Sequence, residues 1–218
     1  VFFWNNRNAR RKQSGTLIWW FKEWLDKVGH DKASLLMHTD AQDPHGQDLP
    51  HILEHLKITD GQVLLSTEKV DPRDLAAMYN MADYTINISD AEGFGLGTLE
   101  AMQTGTPIIA AKTGGLTRQV IDHRDGTENG IALDISHQTL VGSQGVPYIY
   151  EDYVSTDDVA DALFKMYSAS EEEKARLSEK VKEYVASEFD LQNTIDAWHS
   201  TMVELIEDFK AGKRKVSR

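Results

Sequence analysis

Two glutamates, Glu92 and Glu100, bracket a run in which Gly93, Gly95 and Gly97 alternate with Phe94, Leu96 and Thr98. Each glycine weakens a helix by roughly 1 kcal/mol relative to alanine, so this alternation suits a backbone that must be approached closely. An apolar strand, Tyr84 to Ile88, is expected to lead in, and a helical segment, Thr98 to Thr104, to lead out. The amides of Leu96, Gly97 and Thr98 would then lie at the start of a helix, where unpaired N–H groups and the positive end of the dipole favour an anion such as a phosphate. A carboxylate beside a phosphate would repel it, so Glu92 and Glu100 should instead accept hydrogen bonds from ligand hydroxyls. Phosphate flanked by hydroxyls describes a nucleotide sugar. Read blandly, the glycines are loop punctuation and Glu100 a favourable first-turn charge. That reading leaves the spacing of Glu92 and the glycine alternation unrelated.

The segment Glu92 to Glu100 resembles the E-x7-E signature of the glycosyl transferases group 1 (GT4-like) family, retaining glycosyltransferases of the GT-B type. The continuation through Ala101, Met102, Gly105 to Ala110 and Thr113 to Leu116 is similar in residue type and order. Near the start of the chain, Arg7 and Lys12 stand five apart in a polar loop and resemble that family's pair of cations approaching the donor diphosphate. Asn6 stands where that family usually has glycine, Ser14 or Gly15 where glycine directly follows the lysine, and Arg10 and Arg11 compete for the role. The resemblance implies transfer of a sugar, of the hexosyl type, from a nucleoside diphosphate to an acceptor hydroxyl with retained anomeric configuration. It places Glu92 at donor-sugar hydroxyls near the reacting carbon, Glu100 at the ribose and Arg7 with Lys12 at the diphosphate. Gly93 to Thr98 would form the donor loop and Val70 would lie under the base. Two cations can replace a divalent ion, and no D-x-D motif is evident, so neither a metal nor another cofactor is expected.

These loops need a frame. Apolar runs at Val1 to Trp4, Ser34 to His38, Gln62 to Ser66, Tyr84 to Ile88, Thr106 to Ala110 and Gly130 to Leu133 alternate with helical patterns. Such alternation means βαβ units and a parallel sheet, with ligands at the carboxyl ends of the strands. The resemblance makes this a doubly wound, Rossmann-like α/β fold with helices on both faces: the carboxyl-terminal, nucleotide-sugar-binding half of a GT-B enzyme. It covers residues 1–218, with an insertion at 134–154 and a terminal amphipathic helix at 190–210. The insertion, with Gly142, Gly145, Pro147 and three tyrosines, is expected to be a long loop serving as a lid or acceptor-side flap, or as a packed decoration.

His51, Glu54 and His55 spell H-x-x-E-H, a zinc-peptidase pattern. The short helix after Pro50 makes a coincidental surface match the better reading. Absence of cysteine removes disulfides and thiolate metal sites and fits a reducing compartment, so a cytoplasmic location is expected. A net charge of −12 argues against nucleic acid as a partner. No apolar run reaches the roughly 20 residues that span a bilayer. The basic tail, Lys210, Lys213, Arg214, Lys215 and Arg218, reads as a solvated terminus or a peripheral membrane contact. Because the sequence begins on Val1, the acceptor-binding GT-B domain is expected upstream, and the domain alone is expected to bind the donor without transferring it. A nucleotide-sugar binding module with no transfer activity is the alternative.

Overall fold

The computed structural model describes residues 1–213. Phe2–Asn5 (β1), Leu35–His38 (β2), Val63–Ser66 (β3), Tyr84–Asn87 (β4), Ile108–Ala111 (β5) and Gly130–Leu133 (β6) form one parallel sheet in the order β3-β2-β1-β4-β5-β6. Strands of a parallel sheet are covered on both faces and so read as continuous apolar runs. All of Ile108–Ala111 is buried, as are Phe2, Phe3 and Trp4.

The helices are Ser14–Val28 (α1), Leu49–Leu56 (α2), Pro72–Met81 (α3), Leu96–Gln103 (α4), Leu116–Val120 (α5), Thr156–Tyr167 (α6), Glu171–Glu188 (α7) and Leu191–Lys210 (α8). Sequence punctuation sets their starts. Asp48 accepts from the His51 amide at 3.1 Å, Asp71 accepts from those of Arg73 and Asp74, and Ser155 accepts from that of Asp158, satisfying donors that a helix start leaves unpaired. One helix begins earlier than expected: Gly95 takes φ +88°, in the left-handed region open to glycine, so α4 starts at Leu96 rather than Thr98.

Helix α1 contacts α2 and α6, while α4 contacts α3 and α5. Each group covers one face of the sheet. On the first face Leu17, Ile18, Phe21, Trp24 and Leu25 of α1 are buried with Phe2, Trp4, Met37 and Ile86, and the Phe2 ring meets Phe21 and Trp24 edge-on at 5.9 Å. On the other, Phe3 meets Tyr79 of α3 at 5.1 Å. The chain leaves β1 toward β2 and β3, and leaves β4 toward β5 and β6. β1 and β4 are therefore neighbours at the point where the winding reverses, the place in such sheets where ligands bind beyond the strand ends.

The 134–154 stretch is not the irregular loop expected from the sequence. His137–Val141 (β7) and Ile149–Tyr153 (β8) pair antiparallel as a separate hairpin, with Leu140 opposite Tyr150. Its Thr, Val, Ile and Tyr content suits strands, and the Gly142 to Pro147 connection turns the chain.

Two compact units divide the chain, Val1–Lys182 and Glu183–Arg218. The second holds α8, capped by Asp190 and carrying Leu191, Ile195, Trp198, Met202 and Phe209 as exposed apolar side chains. Arg214, Lys215 and Arg218 of the basic tail lie outside the described residues.

Candidate functional site

Loops leaving β1 and β4 at the reversal point bring the two sequence constellations together. After β1 the chain makes a 3-10 turn, Arg10–Lys12, then enters α1 through Gln13, whose φ of 56° is left-handed. Buried Asn8 fixes the middle of this loop: its amide donates to the Gln47 carbonyl at 2.6 Å and its oxygen accepts from Ser14 Oγ at 2.7 Å. Asp90 joins the two loops, its amide donating to the Arg11 carbonyl at 2.9 Å and its carboxylate accepting from Gln13 Nε2 at 2.9 Å. Burial raises the Asp90 pKa.

Four basic side chains on the first loop have four different fates. Lys12 is buried, with a side chain 7% exposed, and its amine ion-pairs with the Glu92 carboxylate, itself 9% exposed. Burial lowers the Lys12 pKa and the Glu92 bond opposes that. Arg11 donates to the Ala91 carbonyl at 2.7 Å and approaches Glu92 at 3.6 Å. Arg10 is bound by both outer nitrogens to Glu151 of the hairpin. Arg7 is 60% exposed and forks onto Asp43 at 2.6 and 3.2 Å, with His45 Nδ1 at 2.8 Å. The Arg7 guanidinium holds Asp43 well below the usual carboxylate range. Lys12 and Glu92, distant in sequence, thus meet directly, whereas Arg7 is engaged by a loop after β2.

The start of α4 forms the third part. Gly95 is the N-cap, so Leu96, Gly97 and Thr98 are the first helical residues and their amides lack intrahelical acceptors. At Gly97 a Cβ would lie 2.6 Å from the Asn5 carbonyl oxygen, so this glycine lets α4 lie against the end of β1. Gly93 faces open space. Close approach at Gly97 is therefore made by the chain's own backbone. Phe94 and Leu96 are exposed on the loop. Buried Gln119 of α5, to which the sequence drew no attention, braces it from beneath: its Nε2 donates to the Phe94 carbonyl at 2.6 Å and its Oε1 accepts from Thr98 Oγ1.

Glu100 is one turn into α4, and its Oε2 accepts from the Tyr79 hydroxyl at 2.9 Å. That hydroxyl accepts in turn from Asn5 Nδ2 at 2.7 Å. Burial raises the Tyr79 pKa far above its ordinary value, so the group stays a neutral donor. Tyr79 was also missed by sequence reasoning. A lone aromatic on a helix of mostly small and aliphatic residues is the only signal it gives. Tyr79→Phe is expected to cost about 1–2 kcal/mol of stability, because Asn5 loses its acceptor and Glu100 its donor inside the fold. Urea unfolding would check this, and an unchanged midpoint would show the chain to be redundant.

The hairpin base clasps these loops. Glu151, its side chain 3% exposed, holds Arg10 and accepts from Tyr153 Oη at 2.7 Å. The Asp152 amide donates to the Asp90 carbonyl at 2.7 Å, and its carboxylate accepts from Thr113 Oγ1 at 2.7 Å. The loops after β1, β4 and β5 are thereby tied to one element.

Val70 is half-buried in the connection from β3 to α3, just ahead of the Asp71 cap. His51, Glu54 and His55 lie exposed on α2, which turns Leu49 and Leu53 inward. Among the described residues no three His, Asp or Glu side chains gather closely enough to hold a metal ion. No helix among them is long and apolar enough to cross a membrane.

The fold is of the doubly wound α/β class, with a helix start, a buried lysine and two carboxylates at its reversal point. Comparison with known proteins narrows this. Residues 47–141 match the family model described as glycosyl transferases group 1. The D-inositol 3-phosphate glycosyltransferase of Paenarthrobacter aurescens is 31% identical over 112 residues, 51% of this chain and 26% of that protein. The C-terminal domain of a group 1 family protein from Francisella tularensis superposes with a TM-score of 0.62 at 17% identity, covering 88% of this chain and 87% of that one. A structure from E. coli described as trehalose-6-phosphate bound with UDP-2-fluoro glucose gives 0.65 at 14% identity, over 93% of this chain and 43% of that one. The chain is similar to the glycosyl transferases group 1 family over residues 47–141 and has the fold of a carboxyl-terminal GT-B domain. The match to the first curated relative spans about a quarter of that protein's length.

Proposed function

We propose that this chain is the donor half of a retaining glycosyltransferase, holding a nucleoside-diphosphate sugar while its sugar passes to an acceptor hydroxyl. The observation that carries the reading is the meeting of Lys12 with Glu92 beside the start of α4, at the reversal point of the sheet. A buried cation paired to a buried carboxylate is a neutral site with both halves of a donor already represented. A phosphate can replace the carboxylate on Lys12, and a sugar hydroxyl can replace the ammonium on Glu92.

In this reading the amides of Gly97 and Thr98 and the Lys12 ammonium hold the diphosphate, with Arg11 close by. Arg7 joins only by exchanging Asp43 for a phosphate oxygen. Glu100, steadied by Tyr79, accepts from ribose hydroxyls, and Val70 lies under the base. Negative charge grows on the leaving diphosphate as the glycosidic bond breaks, so fixed cations and amides are where catalysis arises. With those cations in place the reaction is proposed to need no metal. Glu92 orients the sugar and is assigned no nucleophilic role. The acceptor and a preceding domain that binds it are part of the same proposal. Support for the donor comes from the E. coli fold neighbour described as bound with UDP-2-fluoro glucose.

The test is calorimetric titration of the chain with UDP, GDP and ADP, repeated on Glu100→Ala. One nucleotide is expected to bind, and the substitution to weaken it by about tenfold or more through loss of hydrogen bonds to a charged acceptor. Absence of binding by all three, in chain shown to be folded, would sink the proposal. A second reading, a donor-binding module without transfer of its own, draws on the short span of the curated relatives that the chain matches. Donor binding without transfer, in the longest natural form of the chain, would favour it.

A further inference from the structure

A cavity lies at the opposite end of the sheet from the donor loops, beside the amino ends of β4 and β6 and remote from the carboxyl ends of β1 and β4. Its volume is about 670 Å³, within the range of small-molecule sites. It opens between the last turn of α6 and the first turns of α7, within the Val1–Lys182 unit.

Three features of its wall point to a ligand. The floor is apolar, made by the Tyr84 ring with Met166 and Leu177, and Phe164 stands beside it 56% exposed. Tyr84 is 2% exposed, yet its hydroxyl has no hydrogen-bond partner among the described residues. A buried hydroxyl left unpaired costs about 1–3 kcal/mol, so an acceptor arriving there is favoured. The lining carries four cations, Lys165, Lys174, Arg176 and Lys180, and two carboxylates, Glu128 and Glu173, in a chain of net charge −12.

Acidic side chains offset part of this charge: Glu173 lies within electrostatic reach of Arg176, and Asp122, Asp125 and Glu128 within that of Lys180. Glu173 is committed to capping its own helix, accepting from the Ser170 amide at 2.8 Å and Ser170 Oγ at 2.9 Å, and exposed Glu128 meets Lys180 through its backbone carbonyl. Lys174 is already paired with Asp83 at 3.3 Å and Glu171 at 2.9 Å, and Lys180 also donates to Thr127 Oγ1 at 2.6 Å. Lys165 and Arg176 make no ion pair within 4 Å among the described residues, so an arriving anion meets two unpaired cations and a waiting hydroxyl.

We propose that this cavity binds a small amphiphilic anion, a phosphate or carboxylate bearing an aryl or acyl group. The head is held by Arg176, Lys165 and the Tyr84 hydroxyl, and the apolar part rests on Phe164, Met166 and Leu177. A soluble aryl phosphate and a lipid phosphate share this chemistry.

Phenyl phosphate is the probe, titrated into the chain labelled with 13C at its methionine methyls, with the Met166 signal assigned from Met166→Leu. Met166 is expected to shift saturably. Arg176→Ala, at an exposed position, should weaken binding about tenfold, and Tyr84→Phe about threefold, as loss of a charged and of a neutral donor would. Glu100→Ala should leave the titration unchanged, which separates this cavity from the donor loops and makes the readout independent of transfer. Co-sedimentation with phosphatidate vesicles that Arg176→Ala abolishes would assign the lipid source. Binding of phenyl phosphate without co-sedimentation would assign a soluble one. A Met166 signal unmoved by phenyl phosphate and by vesicles, or moved equally in Arg176→Ala, overturns the proposal.

Discussion

Lys12→Met is expected to lower affinity for the proposed nucleoside diphosphate by about a hundredfold, and Arg7→Met by less than about tenfold. The difference follows from surroundings rather than from charge, which is the same in both. Lys12 is 7% exposed and ion-paired with Glu92, so a phosphate that takes over its ammonium does so out of water, where a charge-assisted hydrogen bond is strongest. Arg7 is 60% exposed and must give up Asp43 before it can bind anything else. Removing the ammonium also strands Glu92, with Arg11 at 3.6 Å as its remaining cation, and breaking such a buried pair lowers stability by about 3 kcal/mol. Titration calorimetry and denaturant unfolding on both variants measure the two consequences separately. Equal affinity losses, or a larger one for Arg7→Met, would move the phosphate site to the Arg7 side of the loop.

Glu151→Ala is expected to weaken nucleotide binding several-fold and to lower stability by about 1–3 kcal/mol, although it lies in the hairpin and faces no donor loop amide. Its carboxylate holds Arg10 two residues before Lys12, and neighbouring Asp152 holds Asp90 two residues before Glu92. Loosening the clasp therefore loosens both halves of the Lys12–Glu92 pair. Acid should act in the same direction. Arg10 lowers the Glu151 pKa, so this bond contributes fully above the ordinary carboxylate pKa of about 4.3 and is lost as pH falls through the lowered value. Asp90 works oppositely, since burial raises its pKa and acid relieves its charge. Glu151→Gln should therefore flatten the fall in stability below about pH 4. If binding and the acid profile both match the unaltered chain, the hairpin is packing alone.

Local pattern made much of this molecule readable. The six strands are short apolar runs bounded by polar turns, and Asp48, Asp71 and Ser155 announce helices by chemistry confined to three or four residues. The glycine loop was legible for a similar reason, although its logic was only partly seen. The alternation suggested a ligand, while Gly95 serves a left-handed cap and Gly97 accommodates the Asn5 carbonyl. What could not be read is pairing at long range. Nothing near Arg7 foretells Asp43, 36 residues on, and nothing near Arg10 foretells Glu151, 141 residues on. Tyr79 and Gln119 are likewise defined only by what folding brings beside them. The hairpin reads as a loop in the sequence because its strands alternate with no apolar face of their own; Glu151 is a carboxylate buried where pattern expects a side chain for solvent.

The Lys12–Glu92 bond also has a kinetic meaning. A site whose cation and anion already neutralise each other exerts little long-range pull on a charged ligand, and the bond must open before either partner is free. If the proposed function holds, donor capture would be limited by how often the pair parts, with an association rate well below that of steered encounters and nearly independent of ionic strength. Once the donor has gone the pair recloses, and an empty site is kept from taking up the small anions that crowd any solution.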